Sequence, residues 1–394
     1  MLPNTYPSEI RTFADPLTGR QITQLTNSPG YDNIHLYFTE NAFTRGGREI
    51  YFSSDRDTPG IINVFSVNRD TGLITRVTDY TDAGAYALTK NPESTSLLYV
   101  HGREAVLHSL PDGEKQVLYV YPEGYSAGRI SLNCDHTLVG LLMNEDIGVY
   151  NGPNYAGFAE RFYRIKRSQA VFVPLEDEGV RPCKHIIPGK PYIGMRETCE
   201  TGHLQFSPVD PKLCMYCHEG PWHLVNQRIF LLNAGTLEIV PCFRQDKDDS
   251  VGHEFWLRDG NIFFDNRGPG HDGSITSYGV QAVATEPVGG DFIPYTGIAD
   301  PSGNVLRTTP LNQYLNHYHC GSDINMLVGD GKDDLIRVGI TREGATMDLF
   351  CRHGTSWRTD QTHCHPTISW DDDAVLYASD ATGKTQLYLT DWPD

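Results

Sequence analysis

The sequence predicts an all-β fold: a seven-bladed β-propeller of four-stranded antiparallel blades. Three observations predict it. The chain is rich in Tyr, Val, Ile, Thr and Gly, with turn dipeptides at regular intervals, which is the composition of short strands joined by tight turns. No long amphipathic helix with a 3.6-residue period is found. A whole-unit pattern also recurs: an apolar strand and a turn, a second strand ending near a Ser-Asp or similar polar pair, a third strand, a turn of the Asp-x-x-Thr-Gly kind, and a fourth strand. A repeat of roughly 35–60 residues is the expected size of a propeller blade. A β-sandwich also gives short strands, but without a repeat of this period.

The clearest copies of the unit are residues 43–78, 206–240 and 368–389, and weaker copies begin near Tyr86, Gly128, His253 and His317. The unit spanning 127–186 carries an insertion rich in Tyr, Gly and Arg around residues 151–167. Residues 19–26 lack a unit of their own and read as the outer strand of the last blade, joining the two ends of the chain. The whole of residues 1–394 is therefore expected to form one propeller domain.

Composition narrows the function. The 394 residues are 39% hydrophobic and 21% charged, as in a globular protein. The formal charge of −18 disfavours nucleic acid and anionic membrane surfaces as partners. An acidic substrate stays open if its site is locally positive. Nine scattered cysteines make poor material for a disulfide framework and fit a reducing compartment. No signal segment or bilayer-spanning run is visible, so the expected location is cytoplasmic. Cys214 and Cys217 have CxxC spacing without a matching second pair, and read as packed thiols. The Gly-x-Ser-x-Gly run at residues 124–128 runs into strand-like residues rather than a helix, so it lacks the context of a hydrolase elbow.

Histidines carry the chemical signal. His363 and His365 lie two residues apart in a segment that reads as extended, so both point to one face. Asp360 and Gln361 sit beside them. Imidazoles next to an oxygen donor suit a divalent metal such as Mn, Fe or Zn. Within the repeat, His203, His253, His317 and His365 occupy the same position, at the start of the innermost strand. Equivalent positions in successive blades converge at the mouth of the central channel. One histidine there reads as a strand cap; four, with His363, favour a site. His317, His363 and His365 are the candidate ligands. His319 competes with His317, because both face the same way on a strand, and Asp360 and Gln361 compete as the oxygen ligand. His253 reads as a further ligand, a base or a structural group. Arg228 precedes an apolar strand and suits a carboxylate clamp or a salt bridge. His218, Glu219, Trp222 and His223 read as a loop lining the same mouth.

Taken together these residues resemble the oligogalacturonate lyases, β-propeller polysaccharide lyases acting on short pectin fragments. The resemblance spans nearly the whole chain. It is carried by Cys217-His218-Glu219-Gly220-Pro221 with Gln227-Arg228, by Gly252-His253-Glu254-Phe255-Trp256, by His317 with residues 327–331, by residues 353–357 with His363 and His365, and by Ile34-His35-Leu36-Tyr37-Phe38. It implies a seven-bladed propeller and β-elimination of a 4-linked uronate to a 4,5-unsaturated product. It implies Mn²⁺ (another divalent metal being possible) on His317, His363, His365 and a glutamine, His253 as base and Arg228 as its assistant. His35, His203, His218 and Trp222 are then expected to line the acidic oligosaccharide. One departure stands out: the family's glutamine lies three residues before the first histidine of the pair, where this chain has Asp360, with Gln361 one residue later. The competing reading is a non-catalytic binding or scaffold propeller resembling TolB-type repeats, with neither metal nor turnover.

Overall fold

Strands Glu49–Ser54 and Asn63–Asn68 show what makes the sheets. Their β-branched and aromatic residues are buried on both faces, with Ile50, Phe52, Val64 and Phe65 fully inaccessible, because a middle strand of a blade is covered by a neighbouring blade on either side. Outer strands differ. Val305–Pro310 and Lys115–Val120 are largely exposed and are tolerated at a sheet edge. The computed structural model describes residues 4–110, 112–149, 164–175, 181–187, 200–219, 227–246, 249–267 and 293–393.

Seven antiparallel sheets form the blades of a propeller. Their innermost strands are, in chain order, Asn33–His35, Ala85–Lys90, Tyr125–Leu132, Glu200–Phe206, Phe255–Trp256, Tyr318–Cys320 and Thr367–Ile368. The first and last sheets have five strands rather than the expected four. Thr5–Tyr6 pairs with Ile74–Arg76 on the rim of the first blade. In the last blade Gln21–Gln24 pairs with Gln386–Asp391, and Arg11–Ala14 adds a further strand outside it. The N-terminal segment thus covers two edges that would otherwise expose unpaired backbone groups. The two ends of the chain are locked by Leu25 N–H to Leu387 O and Asn33 N–H to Thr385 O, each at 2.8 Å. In the third blade, strands Leu138–Val149 and Arg164–Pro174 run 12 and 11 residues; most of the insertion at 151–167 lies outside the described residues.

The apolar core lies between blades. Leu98, Val100, Leu141 and Val171 fill one such layer, and Phe52, Phe65, Leu97 and Leu387 belong to another. One element of the first blade packs against the fifth and sixth. After the first inner strand the chain turns through the 3-10 helix Phe38–Glu40, which plants Phe38 among Phe255, Leu315 and Tyr318 with no exposed surface. Gly329 is required beside it. A Cβ there would lie 2.6 Å from the Leu315 side chain and 3.1 Å from the His317 carbonyl, so a larger residue would push His317 out of place.

Candidate active site

Three histidines meet above Phe38. The nearest donor atoms of His317, His363 and His365 all lie within 4.8 Å of one another, and all three residues are buried. Their ring centroids are 4.3 Å (His317 to His365) and 5.5 Å (His363 to each of the others) apart. Burial, followed by the neighbouring imidazoles, pushes His317 and His365 well below the usual histidine pKa, so they are neutral and offer lone pairs. Asp330 fixes His317: its Oδ2 faces Nδ1 at 2.8 Å and its Oδ1 accepts the backbone N–H at 2.6 Å. A carboxylate accepts only, so the proton sits on Nδ1, and the lone pair is on Nε2, which has the Asn316 amide nitrogen 3.3 Å away. This donor set fits a divalent metal with nitrogen ligands.

The local geometry differs from the extended reading. Residues 363–366 are not a strand: a short 3-10 turn, Asp360–Thr362, leads into them, and His365 has φ +46°. The left-handed backbone is costly for a side chain, and it lets both imidazoles turn into one site. Gln361 is exposed on that turn; of Asp360 only the backbone is described. His319 does not compete with His317. It shares the inward face but sits two residues, about 7 Å, deeper along the channel. There its ring stacks on Phe255 and its Nδ1 accepts the Ile368 N–H at 3.1 Å. It lines a separate cavity of about 380 Å³ with Glu40, Lys90 and Trp370.

A second layer sits toward the mouth. His203, His253 and Tyr37 are only partly buried. The His253 ring is 4.3 Å from His317 and 6.1 Å from His203. The repeat position therefore brings four histidines of four adjacent blades side by side. His253 Nδ1 lies 2.6 Å from the Asn316 carbonyl and 2.9 Å from Arg267 Nη2, an acceptor and a donor that together anchor the ring through this nitrogen. Burial, then His317, Arg267 and Arg228, hold His253 well below the ordinary histidine pKa.

Glu254 joins this layer together, and sequence reading gave it no part. It is fully buried. Its Oε1 lies 2.7 Å from His203 Nδ1, and its Oε2 accepts Arg228 Nε–H at 2.8 Å. Next to His253 in sequence, it reaches His203 and Arg228 while His253 faces Asn316 and Arg267. Its oxygens are engaged by these two partners, so the grouping of His203, Cys217 and Glu254 reads as a hydrogen-bonded network rather than an ion site. Arg228 lies just before strand Ile229–Asn233 and is 1% exposed. Its backbone N–H is held by Gln245 and its Nη1 reaches the His218 carbonyl at 3.5 Å. Arg129 was also missed: its guanidinium lies over the Tyr37 ring at 4.2 Å. Neither residue sits at the shared histidine position, the one signal the repeat supplies.

The remaining expected residues are placed differently. His35 is buried with Nδ1 2.6 Å from Leu36 O and Nε2 3.2 Å from Cys364 O. Both nitrogens face backbone, so it supports the floor beneath His365, 6.5 Å away, rather than facing a substrate. His218 is not on a loop: it belongs to strand Leu213–Glu219, buried against Phe230 at 4.3 Å. Trp222 and His223 lie outside the described residues.

Comparison with known proteins finds one family of relatives. A family model described as oligogalacturonate lyase matches residues 4–266. The oligogalacturonide lyase of Pectobacterium atrosepticum is 24% identical over 99% of this chain and 98% of its own length. The oligogalacturonate lyase of Dickeya dadantii is 23% identical over 98% and 96%. A solved oligogalacturonate lyase in complex with manganese is 25% identical, with a TM-score of 0.77 over 99% of this chain and 98% of that one. An oligogalacturonate lyase structure from Vibrio parahaemolyticus, 22% identical with a TM-score of 0.78 over 100% and 99%, has the same fold.

Proposed function

We propose that this chain, which belongs to the oligogalacturonate lyase family and is thereby a polysaccharide lyase, cleaves short galacturonate chains by metal-dependent β-elimination. The observation that carries the reading is the pairing of two layers. Three buried imidazoles sit beside His253, a fourth that is anchored through Nδ1 and is partly open. Family membership sets aside the non-catalytic scaffold.

His317, His363 and His365 would hold Mn²⁺, the metal in the similar solved lyase. Bound there, the ion supplies positive charge for the C6 carboxylate of the uronate. The difficult step is removal of the C5 proton, since the carbanion forms next to a group already negative. His253, kept neutral by burial and positive neighbours, takes that proton. Arg228 adds fixed positive charge close to the developing enolate, and Glu254 keeps its guanidinium in place. The C4–O4 bond then breaks and leaves a 4,5-unsaturated sugar. The seven free cysteines among the described residues, Cys134 to Cys364, support a cytoplasmic setting. No helix of the described residues is long and apolar enough to cross a membrane.

The test is a panel of defined uronides, including di- and trigalacturonate and the gluco- and mannuronate counterparts, assayed for unsaturated product with and without Mn²⁺. Product from the galacturonides, dependent on metal, is the expected result. Product only from another uronate would move the substrate; none from any would overturn the reading.

A further inference from the structure

Elimination needs a second proton transfer. The C4 oxygen of a sugar is a poor leaving group, and His253 is occupied with the C5 proton. We propose that Tyr37 is the acid that protonates O4, that His203 and Glu254 position its phenol, and that Arg129 balances the charge left on it; this rests on the β-elimination reading above.

The geometry is a chain of contacts running from the protein interior to the mouth. Glu254 is fully buried and takes His203 Nδ1 at 2.7 Å. The other nitrogen of that ring, Nε2, lies 3.3 Å from Tyr37 Oη. Glu254 fixes the His203 ring, and that ring fixes where the Tyr37 oxygen sits; the phenol proton turns from Nε2 to O4 when the sugar is bound. The phenol stands beside the proposed metal site, its ring 4.8 Å from His365 and 6.2 Å from His317, and it is partly open. The neighbouring phenols are differently placed. Tyr314 and Tyr318 are 2% and 0% exposed, and their hydroxyls serve Asn316 and the Leu315 N–H. Arg129 lies over the Tyr37 ring at 4.2 Å, placing a cation against it. His203 has φ +50°, a strained backbone that aims its ring.

The step balances. The C5–H bond breaks and its proton goes to His253. The electron pair becomes the C4=C5 double bond as the C4–O4 pair leaves with O4. O4 takes the Tyr37 Oη proton. Water then returns a proton to the tyrosinate and accepts one from His253.

Tyr37→Phe keeps the ring and removes only the acid. In manganese-loaded enzyme it should slow unsaturated-product formation from trigalacturonate about 10²–10⁴-fold. His253 would still work, so substrate recovered from D₂O should carry deuterium at C5 ahead of elimination. A galacturonate bearing 4-nitrophenolate at C4 needs no proton to leave and should react at close to the wild-type rate. His203→Gln, a second variant, should show the same split with a smaller loss. Exchange and elimination falling together, an equal loss on the nitrophenyl substrate, or an unchanged rate would each overturn the proposal. Wild-type enzyme giving no unsaturated product would instead overturn the parent reading.

Discussion

Glu254 accepts the Nε–H of Arg228 at 2.8 Å, and neither side chain is more than 2% exposed. Two opposite charges this far from water interact strongly, but only as a pair. The same carboxylate holds His203 through its other oxygen. Glu254 is therefore the joint between the arginine and the histidine layer of the site.

Glu254→Gln should take a counter-charge away from the buried Arg228. Stability should fall by about 3–5 kcal/mol, read by denaturant unfolding, with turnover falling as well. A loss below about 1 kcal/mol would mean that the pair is solvated in solution.

Chelation should abolish turnover and lower the melting temperature, because a ligand bound only to the folded state stabilises it. Mn²⁺ should restore both. His363→Ala should lose bound manganese, and Asp330→Asn, which frees the His317 ring, should weaken metal binding about 10–100-fold. Full activity in protein shown by elemental analysis to be metal-free would refute the assignment.

His253→Asn should stop unsaturated-product formation while manganese content stays at the wild-type level. The pH profile has a definite sign. The neutral imidazole is the active form, and its pKa is held well below 6.5 by burial and by the positive neighbours. The rate should therefore stay level through pH 6.5 and decline only at more acid pH. An acid limb centred at 6.5 or above would point to another base.

Arg228→Lys keeps the charge but loses the planar fork that reaches both Glu254 and the His218 carbonyl. Turnover should drop by at least about tenfold, a loss of roughly 1.4 kcal/mol in transition-state stabilisation, with the circular dichroism spectrum intact. An unchanged rate would make Arg228 a structural residue.

His353 is buried, with Nε2 3.0 Å from the Gly331 carbonyl and Nδ1 accepting the Thr355 N–H. Burial pushes it down to about 4, so the unfolded chain binds a proton between pH 6.5 and 4 that the folded chain refuses. Its stabilising share is complete above 6.5 and is lost as pH falls toward 4. The stability advantage of wild type over His353→Gln should shrink by about 2 kcal/mol between pH 7 and pH 5. A constant gap would show that the ring is protonated in the fold.

The blade repeat was legible because strand alternation and turn chemistry are local, and four copies of one position flagged His203, His253, His317 and His365. The sequence by itself determined the propeller, the number of units and the histidines at the mouth. Tertiary structure alone decided how those side chains are used. It turned His365 through a left-handed residue, sent His319 deeper past Phe255, and faced both nitrogens of His35 onto backbone. It also brought Glu254, Arg228 and His203 together, and Arg129 over Tyr37. Those pairings join residues far apart in the chain, and no period or spacing encodes a contact made only when the ring of blades closes.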